Sequence, residues 1–417
     1  MTSMTAMATL KPAQGRYWSL ADQMVVSGGG VVTTVIVARA VGTSGLGAYA
    51  VIVAVVLLAQ AIQHGLCVTS VMSLPPRADG DIDAERAIDM VQARLLVLLT
   101  CAAFPLLALL LTRTHAREAV PTAAIGAALV AATLQREYVR RRHYVARSAV
   151  RALRVDGVAF ASSLAALLAL VAAVNGPSVL QLLAVQAAGH VMALGLELAR
   201  GWPCAAHCRR LPSDRWPEIR RFGGWQVASG VLSWCMGGGV LIVISGLASA
   251  ATAGGVRAAQ SLAGIIAVGS LSLENWLPRQ TAALFSTGGR SAVKQWLPRR
   301  VIVVLAALTP CAGLVMAFAE ELMRWVYGPA YGAYAPLLIG LMTGAIISFG
   351  GTYLQSALRA FGATHLIFVS NATAAALALL TVSLMANRDS LLGLSAALAV
   401  GPTTAAGLYA LSVWRSR

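Results

Sequence analysis

Ionisable and amide side chains are scarce inside the apolar stretches of this chain, and several of them fall at spacings that bring them together. Asp22 lies one turn into the first stretch. Gln60, Gln63 and His64 stand at i, i+3 and i+4, which on a helix is one face. Arg257, Gln260 and Ser261 repeat that spacing, and Glu274 and Asn275 follow near the other end of the same stretch. A charge held in hydrocarbon costs about 2.5 kcal/mol or more, so such groups default to functional candidates. Carboxylates and histidine suit proton or sodium coupling, and arginine suits a bound anion. Structural readings stand beside these. Asp22 and Glu274 are near enough to a membrane surface to be hydrated or paired with Arg16 or Arg279, and Arg39 and Arg257 are near enough to the other surface to snorkel. His64 reads as a proton carrier or as a hydrogen-bonded structural histidine.

The elements that must position these groups are membrane helices. Apolar residues make up 58% of the 417, charged residues only 12%, and mean hydropathy is +0.73. A water-soluble domain carries roughly a quarter of its residues charged. About 20 mostly apolar residues cross a bilayer. The expected spans are 18–41, 46–72, 95–111, 119–134, 153–174 and 179–198, then 224–247, 254–277, 301–319, 334–358, 365–385 and 391–414. The expectation is an all-α polytopic bundle of about twelve helices, in two lobes, 1–210 and 211–417. The first stretch lacks a small-residue cleavage site and contains Asp22, so it reads as a span rather than a signal peptide.

Charge orients the spans. The formal net charge is +16, yet the positives alternate by loop instead of forming one patch. With the N-terminus cytoplasmic, 26 of the 32 Lys and Arg fall in cytoplasmic segments. Arg39, Arg113, Arg117, Arg257, Arg324 and Arg388 fall outside. That bias places both termini in the cytoplasm, and it explains the basic excess by topology and anionic-lipid contact without nucleic acid.

The two sets of six spans share landmarks. Arg94 precedes Pro105 by eleven residues, and Arg299 precedes Pro310 by eleven. Ser178, Leu182, Gly189 and Gly195 match Ser390, Leu394, Gly401 and Gly407 at one offset. Gly28–Gly30 on the first span answers Gly237–Gly239 on the seventh. Six is even, so the halves share one orientation and would be related by an axis along the membrane normal, an arrangement used for alternating access.

Enzyme signatures are missing. No P-loop, HExxH or nucleophile elbow occurs, and the expected outer loops are too short to hold a catalytic apparatus. Asp79, Asp81 and Asp83 lack the glutamate that completes a calcium loop, and Cys204, His207 and Cys208 lack a fourth zinc ligand. No metal, cofactor or disulfide framework is expected.

Short motifs then carry a resemblance. The stretch Trp18–Asp22, the turn Ala38-Arg39-Ala40-Val41-Gly42 with Gly45, Gly47 and Tyr49, the segment Trp325–Tyr331, and the turn Leu358–Gly362 resemble bacterial polysaccharide flippases of the multidrug/oligosaccharidyl-lipid/polysaccharide (MOP) exporter superfamily. The resemblance implies a V-shaped pair of six-helix lobes in the bacterial cytoplasmic membrane. It implies transfer of undecaprenyl-pyrophosphate-linked oligosaccharide from inner to outer leaflet, for exopolysaccharide, capsule or O-antigen. Polysaccharide polymerase and chain-length proteins would be its partners. Related lipid-linked precursor flippases hold pyrophosphate with an arginine on the eighth span, where this chain has Arg257; Arg39 fits the recurrent turn. Few charges lie deep in the spans, which departs from a strongly cationic cavity; Arg154 and Arg221, at the inner ends of spans five and seven, would supply charge at the entry. The alternatives are a multidrug cation antiporter of the same superfamily, which needs deep acidic groups, and a membrane polymerase or glycosyltransferase.

Overall fold

The computed structural model describes residues 12–68, 82–112, 118–146, 148–200, 216–388 and 390–415. Among them the backbone is helical nearly throughout. The helix Pro12–Gln63 is broken by Gly42, at φ 68°, into α1 (12–41) and α2 (43–63), and a π-helical turn, His64–Val68, extends α2. Next come α3 (Ile82–Thr112), α4 (Ala119–Val145), α5 (Ala149–Ala173) and α6 (Val179–Ala199). Helix α7 covers 216–247 and contains a second π-helical turn, Cys235–Gly239. The helix Ala250–Ala317 breaks at Gly289, φ 65°, into α8 (250–288) and α9 (290–317). A short connector, Ala319–Tyr327, and a 3₁₀ turn, Pro329–Tyr334, lead to α10 (Ala335–Ala360), α11 (Thr364–Ala386) and α12 (Leu391–Arg415).

Each break has a local cause. Gly42 and Gly289 hold a left-handed φ that a side chain would strain, so the chain turns there while hydrogen bonding resumes at once on either side. Ser178 caps α6 in a capping box with Gln181, and Ser249 caps α8 through the Thr252 amide. The matched prolines Pro105 and Pro310 both lie inside continuous helix, and Gly289 is the one residue of Ala250–Ala317 with non-helical backbone angles.

Ten stretches of the described residues are long and apolar enough to cross a membrane, the first of them spanning both α1 and α2. The chain is a multi-pass membrane protein. Large apolar side chains such as Val97, Leu98 and Leu109 on α3, and Ile302 and Leu314 on α9, are exposed, as a lipid-facing surface requires.

The helices form two compact units. Unit 1 comprises residues up to Ile36 and Val55–Gly230; unit 2 comprises Val37–Ala54 and Val231–Arg417. The α1–α2 corner therefore packs within unit 2, and the first half of α7 within unit 1. The expected lobe boundary near residue 210 lies outside the described residues. In unit 1, α4 packs on α3, α5 and α6; in unit 2, α10 packs on α12 and on the Ala250–Ala317 segment, and α11 on α12.

Without a hydrophobic drive between helices in lipid, close approach relies on small residues. A Cβ on Gly189 of α6 would lie 2.0 Å from Ser163 Oγ and 3.0 Å from the Ala159 carbonyl of α5. At its counterpart in the other half, Gly401 of α12, a Cβ would lie 3.1 Å from that of Ala378 on α11. The residues that matched in sequence thus do the same work in each half: both let the last two helices of a set meet.

Candidate functional site

Unit 1 encloses a charge lattice. Asp22 on α1 and Asp156 on α5 are each 1% exposed. The Arg140 Nη1 of α4 donates to Asp22 Oδ2 at 3.2 Å and to Asp156 Oδ2 at 3.1 Å. Its Nη2 donates to Glu137 at 2.8 Å, and Arg141 Nε donates to the same Glu137 oxygen at 2.7 Å. Arg136 reaches Asp156 Oδ1 at 2.6 Å, and the Tyr144 hydroxyl donates to Asp22 Oδ2 at 2.5 Å. Three carboxylates meet three guanidinium groups, so the lattice is neutral when all six are ionised. A separate cluster pairs Glu197 of α6 with His143 at 3.0 Å and Arg200 at 3.1 Å. Buried pairs of this kind survive only when their geometry is complete, because desolvation opposes the Coulomb gain. Asp22 Oδ1 alone of that carboxylate's atoms has no hydrogen-bond partner among the described residues.

The helix α4 builds this lattice by its register. Arg136, Glu137, Arg140, Arg141 and Tyr144 recur at three- and four-residue intervals along its last turns, so they share a side. Asp22 and Asp156 arrive from other helices. Spacing alone does not single out Arg136, Glu137, Arg140 and Asp156. The signals present in the sequence are an aspartate inside the expected fifth span and the Glu137-Arg140-Arg141 series.

The amides of unit 1 behave differently from their spacing. Gln63 turns inward, 1% exposed, with its amide nitrogen donating to Gln92 Oε1 at 2.9 Å and to the Leu134 carbonyl at 2.6 Å. Gln60 is half-buried and His64 is exposed. Of the three only Gln63 is buried, and His64 opens the π-helical turn. Arg154 is exposed on α5. The side chains of Arg221 and Glu274, the Asp79–Asp83 run and the Cys204–Cys208 segment lie outside the described residues.

Unit 2 carries the two arginines singled out near the other end. Arg39 is exposed but committed: its Nε donates to the Val326 carbonyl at 2.8 Å and its Nη2 to the Trp325 carbonyl at 2.5 Å. It thereby caps the end of the connector helix, whose last carbonyls would otherwise lack donors. The Tyr331 hydroxyl returns a bond to the Ala38 carbonyl at 3.3 Å. Around them the α1–α2 corner meets α8 backbone to backbone. A Cβ on Gly47 would lie 1.8 Å from the Ala250 carbonyl oxygen, and one on Gly254 would lie 2.0 Å from that of Thr43.

Arg257 is the opposite case. It sits two turns into α8, and its Nε is buried without a hydrogen-bond partner among the described residues. Tyr49 and Tyr327 lie beside the guanidinium, and the Tyr327 hydroxyl faces Ser261. Gln260 is half-buried on the same helix. The groups beside the guanidinium are thus phenols rather than carboxylates. A half-buried guanidinium with an open Nε donor fits an oxyanion, which arginine can hold with two parallel bonds.

The geometry can be set beside known structures. No protein-family model and no curated protein matches the sequence. Solved structures do match. One is titled an inward-facing conformation of a multidrug resistance MATE family transporter of the MOP superfamily, with a TM-score of 0.78, 13% identity and 94% of each chain covered. A second is lipid II flippase MurJ in an inward closed conformation, with a TM-score of 0.75, 10% identity, and 96% of this chain and 87% of that one covered. A third is a MOP superfamily transporter from Pyrococcus furiosus, titled as having a binding pocket of reverse polarity, with a TM-score of 0.65, 11% identity, and 96% of this chain and 94% of that one covered.

The chain has the MOP transporter fold. Nearly the whole length is covered in each alignment, so the likeness extends through both units rather than resting on a shared helical hairpin.

Proposed function

We propose that this protein carries a polyprenyl-pyrophosphate-linked oligosaccharide from the inner to the outer leaflet of a bacterial cytoplasmic membrane, by alternating access, with both termini cytoplasmic. The observation that carries the reading is Arg257, a half-buried cation beside phenols whose buried Nε has no acceptor among the described residues. Pyrophosphate is the ligand chemistry that would complete it. The fold shared with a lipid II flippase supports the same class of cargo. Sugar recognition would fall to the amide and hydroxyl groups along α8, and the lipid tail would stay in the bilayer.

A MATE-like fold equally invites a multidrug cation antiporter. That activity needs a carboxylate open to a cationic substrate. In unit 1 Asp22, Glu137 and Asp156 are all engaged by arginines, which disfavours it. Within the flippase reading we assign proton coupling to Asp22 and Asp156. Both carboxylates accept from the same Arg140 nitrogen, so a movement that withdrew Arg140 would release the two together.

The test is reconstitution in proteoliposomes with a fluorescent polyprenyl-pyrophosphate glycan, followed by quenching from the outer face. Transfer by the wild type and its loss in Arg257→Ala, with Arg257→Lys retaining part, supports the proposal. Ethidium transport with no glycan transfer would replace it with the antiporter.

A further inference from the structure

One end of unit 2 has a composition that the flippase reading does not use. Helix α8 is about 58 Å long at 1.5 Å per residue, nearly twice the thickness of a hydrocarbon core, so its far end at Gly289 projects past the apolar layer. At that end the first turns of α9 and the last turns of α10 and α12 gather around a core containing Val293, Leu297, Tyr353, Phe361 and Val413. Arg290, Arg299, Arg300, Arg359 and Arg415 surround it. No aspartate or glutamate occurs in residues 275–319, 322–388 or 390–417. Glu274 is fifteen residues before the Gly289 corner, about 22 Å along the helix.

The arginines are held by groups that leave their charge uncompensated. The Arg290 guanidinium lies 5.4 Å from the centre of the Phe361 ring, and that of Arg300 lies 5.8 Å from the centre of Trp296. A ring face attracts the cation without consuming its N–H donors. Arg359 donates to Gln355 at 2.9 Å, a neutral acceptor. Trp414, 52% exposed, and Trp296 supply the amphipathic rings characteristic of a headgroup layer.

We infer that this end of unit 2 is a docking surface for the phosphate headgroups of anionic phospholipids. Basic residues interleaved with aromatic rings, with no acid among them, complement an anionic leaflet in both charge and depth. The assignment does not depend on what the protein transports.

The test uses the purified full-length chain in neutral detergent, titrated with short-chain phosphatidylglycerol or phosphatidylcholine and read by thermal shift. Phosphatidylglycerol should bind and phosphatidylcholine should not. Replacing three of the exposed arginines together (R299Q, R300Q and R359Q) should weaken phosphatidylglycerol binding by about 100-fold at low salt. The matching lysine variant should keep most of it, and Arg388→Gln, at the opposite end of unit 2, should leave it unchanged. Equal binding of both lipids, equal affinity of wild type and triple variant, or binding of polyprenyl phosphate but not phosphatidylglycerol would each overturn the inference. Should the triple variant fail to fold, the salt dependence of the wild type decides: binding that does not weaken as salt rises refutes a charge-based surface.

Discussion

The Asp22–Glu137–Asp156 lattice of unit 1 and the Gly289 corner of unit 2 use arginine in opposite ways. In unit 1, Arg136, Arg140, Arg141 and Arg200 all reach carboxylates, and three of the four do so within the Asp22–Glu137–Asp156 lattice. In unit 2, Arg290 and Arg300 at the Gly289 corner rest on aromatic rings and Arg359 on a neutral acceptor; elsewhere in the unit Arg39 caps a helix end, Arg324 pairs with Glu320, and Arg257 lies beside phenols. All of them count alike in a net charge of +16. The contrast shows that a basic excess is several things at once. Part is cancelled inside a unit and stabilises it only as a whole; part remains as an outward field or as an open ligand position.

That contrast can be broken first where it is most tightly made. Arg140→Ala removes the guanidinium shared by Asp22, Glu137 and Asp156, leaving Asp22 with the Tyr144 hydroxyl and Glu137 and Asp156 with one arginine each. We expect a loss of about 3–5 kcal/mol, read as a drop in the unfolding midpoint in detergent. A variant that unfolds at the wild-type temperature would show the lattice to be hydrated rather than buried. Asp22→Asn keeps the shape and a partner for Tyr144 while removing a charge, so it should fold and lose any dependence of transport on an imposed proton gradient. Transport that still follows the gradient would remove Asp22 from coupling.

Arg257→Ala sharpens the comparison from the other side. It deletes a half-buried guanidinium whose buried Nε is unpaired, so stability should hold or rise slightly while glycan transfer falls by about 100-fold or more. A large stability loss with transport intact would make Arg257 a structural residue like Arg140.

Smaller effects separate packing from charge. Gly47→Ala places a methyl 1.8 Å from the Ala250 carbonyl oxygen and should cost about 1–3 kcal/mol by overpacking. Arg39→Gln removes the charged donors from the Trp325 and Val326 carbonyls at an exposed site, and should cost about 1 kcal/mol. Either loss is measurable as a shift in the unfolding midpoint, and Arg39→Gln should leave initial transfer rates close to wild type.

Much of the fold was legible from residue order. Each expected span has its helix, and the matched pairs Pro105/Pro310 and Gly189/Gly401 occupy corresponding helices. The site was legible only in part. Asp22 and Arg257 stand out because a lone charge in an apolar stretch is conspicuous wherever it ends up. Of Gln60, Gln63 and His64 only Gln63 is buried, because spacing along a helix fixes which residues share a side but not how far each packs against a neighbouring helix.

Hydropathy and helical periodicity are properties of neighbours along the chain. Residue order alone therefore determined the membrane class, the twelve-helix plan and the surplus of positive charge. Pairing between helices depends on their rotation and approach, which no local pattern encodes. Only the tertiary structure decided that Arg140 meets Asp22 from 118 residues away, and that Arg39 serves the carbonyl of Trp325 from 286 residues away. Once those partners are assigned, Arg257 is left with a buried Nε that nothing in the described chain accepts from. An arginine's role depends on the groups within about 3 Å of its nitrogens, and packing sets that distance.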